Sequence, residues 1–190
     1  MIQIIEDSRQ QATKHDLKNE YFNNNNIKVL RTKLPFGDYA LYGDFTLAID
    51  SKKDIMEIAG NLTKDHARFK REIIGANDFG TGIVILIEED KQYTFDSLIT
   101  DYKIPTYKNK GWKTLPNGKK TITHYAGQPM AQFNIETVVK IMRTMQERYG
   151  VLFEFTTKQD CGKKIIDILY NNRDYYKEYF NNKLQNKKEE

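Results

Sequence analysis

The length, composition and charge of the chain set its broad class. It has 190 residues, 39% of them hydrophobic and 12% aromatic, which predicts one domain with a proper core and excludes disorder across its main body. The formal net charge of +4 is compatible with an anionic partner but does not identify one. A single cysteine excludes an intramolecular disulfide, and no apolar stretch is long enough to span a membrane, so we expect a protein of a reducing cytoplasm.

The N-terminal segment predicts two strands separated by a helix. Residues 2–5 form the first strand, and Asp7 follows it either as a metal ligand or as a turn residue. Residues 11–24 form an amphipathic helix with Leu17 toward the core. Residues 27–31 alternate apolar and basic side chains, which is typical of a strand covered on one face only.

The next stretch predicts a hairpin of two short strands, residues 38–42 and 46–50, joined at the turn signal Gly43-Asp44. Both strands alternate apolar and polar side chains, so one register buries both apolar sets on the same face. The pairs in that register are Tyr39 with Ile49 and Leu41 with Leu47. The same register places Asp38 opposite Asp50 on the other face, and Lys52 follows two residues later on that face.

This trio has a chemical use. Two adjacent carboxylates repel each other unless a cation lies between them, and Mg²⁺ or Mn²⁺ held by Asp38, Asp50 and phosphate oxygens meets that need. Such an ion activates a water molecule, and Lys52 can stabilise negative charge on the phosphate. The alternative is an ordinary exposed hairpin end, where Asp and Lys are common.

The segment after the hairpin predicts two helices, residues 53–62 and 65–79, and then a continuous apolar strand, residues 83–87, buried on both faces. Cations crowd the first half of the second helix against the preference of the helix dipole. Arg68 is therefore a candidate DNA contact, with a solvated face as the alternative. Strands and helices together predict a mixed α/β sheet flanked by helices.

Residues 101–128 are basic, aromatic and rich in turn signals, with a small hairpin expected at Asn117-Gly118. Lysines suit phosphates and aromatic rings suit exposed bases, so this insertion is either a DNA contact or a solvated loop. Its candidate DNA-binding residues are Lys108, Lys110, Trp112 and Lys113.

The C-terminal part predicts a helix at residues 134–149, a strand at 151–155 and a helix at 160–171. The aromatic tail that follows is either a surface helix or a dimer contact, which leaves a homodimer open. We expect one domain over residues 1–180 and a frayed end at 181–190.

Three stretches resemble the XPF-type nuclease domain, also called the excision-repair cross-complementation group four domain, of the PD-(D/E)xK nucleases. Gly37-Asp38 followed by Asp50-Ser51-Lys52 resembles the family's GD and ERK signature. Asp7-Ser8-Arg9-Gln10 resembles its D-x-R-E strand end, with Gln10 in place of the Glu. Residues 54–72 resemble the helical region that follows the ERK motif, and the resemblance continues weakly as far as residue 170.

The resemblance implies a restriction-endonuclease-like core that cuts DNA phosphodiester bonds with Mg²⁺ or Mn²⁺. Asp38, Asp50 and Lys52 stand at its catalytic positions, and Asp7 would support the metal held by the two carboxylates. The accessory candidates are Glu57, Glu20 and Arg9. The implied substrate is branched, flap or junction DNA, partly single-stranded, in recombination, repair or phage replication.

Two departures from the family pattern leave other functions open. Ser51 replaces an Arg and removes a cation, and Met56 stands where the family has its last Asp, with Asp54 and Glu57 nearby. A catalytically weak or inactive DNA-binding module is therefore an alternative, and an RNA-processing nuclease would share the same residues. A chain of this kind, with no helix-hairpin-helix module or helicase, resembles a stand-alone phage or prophage nuclease, expected in the cytoplasm of a bacterial or phage-infected host.

Overall fold

A six-stranded mixed sheet forms the centre of the protein in the computed structural model, which describes residues 1–11 and 16–186. In chain order the strands are β1 (Gln3–Asp7), β2 (Lys28–Thr32), β3 (Tyr39–Leu41), β4 (Asp44–Lys52), β5 (Gly82–Glu89), β6 (Gly111–Thr114), β7 (Lys120–His124) and β8 (Leu152–Thr157). The central sheet has the order β2-β1-β3-β4-β5-β8, and β6 and β7 form a separate hairpin. Within the sheet β3 is antiparallel to its two neighbours, and the other pairs are parallel.

Helices cover both faces of this sheet. They are α1 (Asp16–Asn24), α2 (Ile55–Thr63), α3 (His66–Asp78), α4 (Phe95–Asp101), α5 (Ile135–Tyr149), α6 (Cys161–Ile166) and α7 (Arg173–Asn186). The helices α2 to α5 pack on one face, and α1, α6 and α7 pack on the other. The predicted mixed sheet flanked by helices is therefore confirmed. None of the described helices is long and apolar enough to cross a membrane.

The strand β5 is buried on both faces, as its continuous apolar sequence predicts. Ile83, Ile85 and Ile87 join the core on the side of α2 to α5, whereas Val84 and Leu86 join the core on the other side. This alternation follows from the two-residue period of a strand. Because β5 pairs with β4 in parallel, it holds the strand that carries Asp50 in the middle of the sheet.

The hairpin register is confirmed at one end and wrong at the other. Tyr39 pairs with Ile49, as predicted. Leu41, predicted opposite Leu47, instead pairs with Asp44, because a β-bulge shifts the register after residue 40. The bulge lies at the turn end of the hairpin, so the pairing beside Asp38 is unaffected.

Helix α1 buries a different face from the one predicted. Leu17, predicted inward, is 48% exposed, whereas Lys18 is buried and forms an ion pair with Glu88 of β5. The helix is thus turned by one residue, because the Lys18 ammonium finds a carboxylate at the sheet and also lies 5.8 Å from the ring centroid of Tyr39. The first part of the predicted helix, residues 12–15, lies outside the described residues.

The C-terminal helices account for part of the aromatic tail. Tyr176 and Phe180 of α7 are buried against the sheet, while Tyr175 is 65% exposed. A π-helical turn, Asp167–Asn171, separates α6 from α7. Helix α7 continues through residues 181–186, which belong to the end predicted to be frayed, and residues 187–190 lie outside the described part of the chain. A homodimer stays a prediction.

Candidate active site

A cleft of about 1350 Å³ opens at the end of the hairpin, and residues of α1, α2 and α3 line it. Asp38, Asp50 and Lys52 all line it. They meet there because Tyr39 pairs with Ile49. This pairing sets Asp38, which precedes Tyr39, opposite Asp50, which follows Ile49. The structure therefore brings together the three side chains that the sequence pattern singled out.

The loop before β3 depends on glycine to deliver Asp38. Gly37 has a φ of +72°, and a Cβ atom at this position would lie 2.8 Å from the carbonyl oxygen of Ile49. The Asp38 N–H donates to that same carbonyl oxygen at 2.6 Å. Only glycine combines this backbone conformation with such a close approach, which explains the Gly-Asp pair in physical terms.

Asp38 is only 8% exposed, and its carboxylate accepts three hydrogen bonds. The Ser51 N–H and Oγ–H donate to Oδ2 at 2.8 and 2.9 Å. The Gln10 side-chain amide donates to Oδ1. Both donors were missed at the sequence level, where the only signal was that they depart from the family pattern. In this chain Gln10 and Ser51 thus hold the two oxygens of one carboxylate.

Burial raises the pKa of Asp38 to about 6, and the neighbouring charge of Asp50 adds to the rise. The hydrogen bonds from Ser51 and the charge of Lys52 lower the same pKa. The net rise means that the charged form of Asp38 lacks enough positive charge around it.

Asp50 and Lys52 form a bidentate ion pair, with Nζ 2.9 Å from Oδ1 and 2.8 Å from Oδ2. Burial nevertheless raises the pKa of Asp50, because the attraction of Lys52 offsets it only in part and the charges of Glu72 and Glu57 act in the same direction as burial. Lys52 thus stands as the positive charge nearest to a carboxylate pair that is otherwise short of cations.

The carboxylate pair fits a hard divalent cation. Asp38 and Asp50 offer oxygen ligands, and Mg²⁺ commonly takes one or two carboxylates and completes its shell with water and phosphate oxygens. A cation beside them would also offset the burial and the neighbouring negative charges that raise the pKa of both carboxyl groups. In the described ranges, no group of three or more His, Cys, Asp or Glu side chains stands ready to hold a metal. Asp38 and Asp50 are the carboxylates that would hold such an ion.

Asp7 lies outside this pair. Both of its oxygens accept from Arg9, with Nε at 3.0 Å from each, and Oδ2 also lies 3.4 Å from the Leu34 N–H. Its own N–H donates to the carbonyl oxygen of Asp38 at 2.8 Å. The Asp7 carboxylate is held by Arg9, and its predicted role in supporting the metal stays a prediction. Asp7 also anchors the backbone of Asp38.

The accessory candidates divide into two groups. Arg9 and Glu57 line the cleft, whereas Glu20 is exposed on α1 and does not line it. Glu57 belongs to the cap of α2: its N–H donates to Asp54 at 2.7 Å, and its carboxylate accepts from the Lys53 N–H at 3.0 Å. The residues that surround the family's missing Asp are thus used to begin a helix.

The DNA-binding candidates lie in two places. Arg68 lines the cleft and pairs with Glu72 at 2.9 Å. The other candidates lie on the exposed β6–β7 hairpin and the segment that leads into it, which confirms the hairpin predicted in the insertion, and none of them lines the cleft. They are Lys108, Lys110, Trp112 and Lys113, of which Trp112 is 61% exposed.

A ring stack stiffens this hairpin. Tyr107 stacks on His124 with ring centroids 3.7 Å apart. Gly111 leaves room for the stack, because a Cβ at this position would collide with the His124 ring. The chain then returns to the cleft, which Met130 and Ala131 line. The hairpin base therefore borders the cleft, while its lysines are exposed to solvent.

Comparisons with known proteins give a fold but no family. No family model and no curated protein matches the sequence. A solved structure of XPF from Aeropyrum pernix has a TM-score of 0.55 and 13% identity, over 91% of this chain and 68% of that one. XPF from the same organism in complex with DNA has a TM-score of 0.56 and 14% identity, over 92% and 66%. The chain spans about two thirds of those proteins and has an XPF-like nuclease fold.

Proposed function

We propose that this chain is a Mg²⁺- or Mn²⁺-dependent DNA endonuclease that acts on branched, flap or junction DNA. The observation that carries the proposal is the pair Asp38 and Asp50, side by side in an open cleft with Lys52 bonded to one of them. The XPF-like nuclease fold supports it, and one protein of similar fold is known in complex with DNA. Recombination, repair or phage replication is the setting that we propose.

Five residues of the cleft have a task in the proposed reaction. A divalent ion held by Asp38 and Asp50 would supply a nucleophile at neutral pH and a positive charge for the phosphate oxygens. Gln10 and Ser51 keep the Asp38 carboxylate in one orientation. Lys52, which lines the cleft beside Asp50, stabilises the negative charge that grows on the phosphate in the transition state.

Basic side chains in the walls of the cleft would hold the substrate backbone. Arg9, Lys53, Arg68 and Lys158 line it, and each can contact a phosphate. Glu72 and Asp65 already balance part of the charge of Arg68. Phosphate binding would compete with those exposed pairs, which are weak, so the competition costs little.

The test is a comparison of labelled flap, fork, four-way and linear DNA, each incubated with Mg²⁺, with Mn²⁺ and with EDTA. We expect branched substrates to be cut in the metal lanes and no substrate to be cut with EDTA. Cleavage in the EDTA lanes would refute the metal-dependent mechanism. Labelled RNA copies of the same substrates run beside them, and faster cutting of RNA would assign the cleft to RNA processing.

Two observations favour a second candidate, a DNA-binding module without useful activity. No third metal-ligating side chain joins Asp38 and Asp50 within the described residues, and Lys52 occupies both oxygens of Asp50. Such a module would bind the same panel tightly and cut none of it in any lane. The two candidates are therefore separated by the one experiment.

The β6–β7 hairpin should contribute to DNA affinity through its lysines. Replacing Lys108, Lys110 and Lys113 by Ala should flatten the log–log salt dependence of binding by about two to three units, because each lost phosphate contact removes about 0.7–0.9 units. Lys28→Ala, an exposed lysine on the edge strand β2, is the control. An unchanged slope in the triple variant would mean a solvated insertion.

Trp112 should contact unpaired bases. Trp112→Ala should weaken binding of forked DNA by about 1–3 kcal/mol and plain duplex by much less, because only unpaired bases offer a face for stacking. Tyr175→Ala, a similarly exposed aromatic on α7, is the matched control. Cleavage at saturating DNA should be nearly unchanged. A flat Trp112 fluorescence signal on adding forked DNA would contradict the contact.

A further inference from the structure

A second groove, of about 240 Å³, lies between α3 and α5. Three side chains with basic groups line it: His66 from α3, and Lys140 and Arg148 from α5. Two threonines of α5 add hydroxyl groups, and Ile141, Met145 and Tyr149 supply apolar surface. Within the described part of the chain, no carboxylate lines this groove.

The positive charge of the groove is not used inside the protein. Neither Lys140 nor Arg148 forms an ion pair with a described residue, and both are exposed. They lie eight residues apart on one face of α5. Across from them Lys70 follows His66 by one helical turn, and its Nζ lies 4.8 Å from the ring centroid of Tyr149. Two stripes of basic side chains thus face each other.

Two further features of α3 point to an anionic ligand. The Nδ1 atom of His66 is buried and lacks a hydrogen-bond partner among the described residues. The helix also begins without a side-chain cap from Asp65, and its first turn has no acidic residue. Uncapped N–H groups and the positive end of the dipole both favour an anion at this end of the helix. A phosphate group satisfies all these features together.

The groove and the cleft open at different places on the surface of α3. Arg68 and Glu72 face the cleft, and at about 100° per residue His66 and Lys70 point to the far side of the helix. An α-helix with its side chains is about 10–12 Å thick, which equals about three nucleotides of rise along one strand. The surface between the two sites carries Arg71, which is exposed and basic.

We propose that the α3–α5 groove binds a backbone phosphate of the same strand that enters the cleft, about three nucleotides from the scissile bond. The inference rests on the proposed function, since it takes the cleft to hold a nucleic-acid backbone. The strand crosses the basic first half of α3 and places one phosphate between His66 and the α5 cations. The groove thereby fixes the direction in which the strand leaves the cleft.

The test uses Lys140→Ala/Arg148→Ala, two exposed positions whose loss should leave the fold intact. Binding of fluorescein-labelled forked DNA is measured by anisotropy in EDTA across a salt series. We expect the double variant to bind several-fold more weakly, with a log–log salt slope flatter by about 0.7–0.9 units, the effect of one lost phosphate contact. Arg143→Ala removes a cation from another face of α5, where it pairs with Asp96, and serves as the matched control with an unchanged slope.

A second set of substrates has each arm trimmed in turn to one nucleotide beyond the cleavage site. Trimming the arm that reaches the groove should weaken binding to the wild-type protein. It should leave binding to the double variant unaffected, because that variant has already lost the cations that contact the trimmed phosphate. Equal salt slopes, or equal losses on trimming in both proteins, would overturn the proposal. A wild-type protein that binds these substrates without cutting them would refute the nuclease assignment alone, since the anisotropy measurement needs no cleavage.

Discussion

Asp38→Asn is expected to lower the cleavage rate at least about a thousandfold, because it removes one of the two carboxylates that we propose hold the divalent ion, and such an ion contributes several kcal/mol to stabilising the transition state. The fold should survive. Asparagine can accept from the Ser51 N–H through its Oδ1, and its amide can donate to Gln10 once the Gln10 amide turns over. Normal activity in the purified variant would refute the assignment of this active site.

The same substitution should stabilise the metal-free protein at neutral pH. Asp38 has a pKa of about 6 in the folded protein against about 3.9 unfolded, so the folded state binds the proton more tightly. Stability is then highest below the unfolded pKa and falls as the pH rises from about 4 to about 6, by roughly 3 kcal/mol in total. An asparagine side chain at this position carries no charge and escapes this loss.

Urea unfolding of the metal-free protein at pH 4 and pH 7.5 measures the effect. The free energy of unfolding of the wild-type protein should fall from pH 4 to pH 7.5, and that of Asp38→Asn should fall less. Asp78→Asn, an exposed carboxylate at the end of α3, is the control and should stay within about 0.5 kcal/mol of wild type. A variant less stable than wild type at pH 7.5 would show that the charge of Asp38 is well compensated without a metal.

Lys52→Ala is expected to lower turnover about 10²–10³-fold while Mn²⁺ binding persists, because Lys52 stabilises charge and is not a ligand. In the wild-type protein the Lys52 ammonium bonds both oxygens of Asp50, so the substitution leaves these oxygens open to the metal ion. The pKa of Asp50 should rise further without its partner, so Mn²⁺ binding to the variant should shift to higher pH.

Calorimetry with Mn²⁺ at pH 8 and single-turnover cleavage separate these two effects. Lys52→Arg keeps the positive charge and is the matched variant, which we expect to retain part of the activity. Loss of Mn²⁺ affinity in Lys52→Ala, with the residual cleavage per bound metal unchanged, would count against the role of Lys52 in stabilising charge.

The part of the site that the sequence determined by itself is local. Alternation with a period of two decides which residues share a face, so pairing Tyr39 with Ile49 was enough to set Asp38 opposite Asp50. The continuous apolar run of β5 and the Asn134 and Gly150 caps of α5 are local in the same sense, and both elements formed where they were predicted. In each case the decisive interactions join residues that are close in the chain.

Tertiary structure alone decided the contacts between distant parts of the chain. Lys18 turns inward because Glu88, which is far from it in the sequence, lies beside it in the fold. Gln10 and Ser51 meet on the Asp38 carboxylate because β1 and β4 both flank β3. The cations of α3 look like one basic cluster in the sequence, yet the helix turns some toward the cleft and others toward α5. Periodicity predicts which side chains share a face, whereas only the packing of the fold determines what that face contacts.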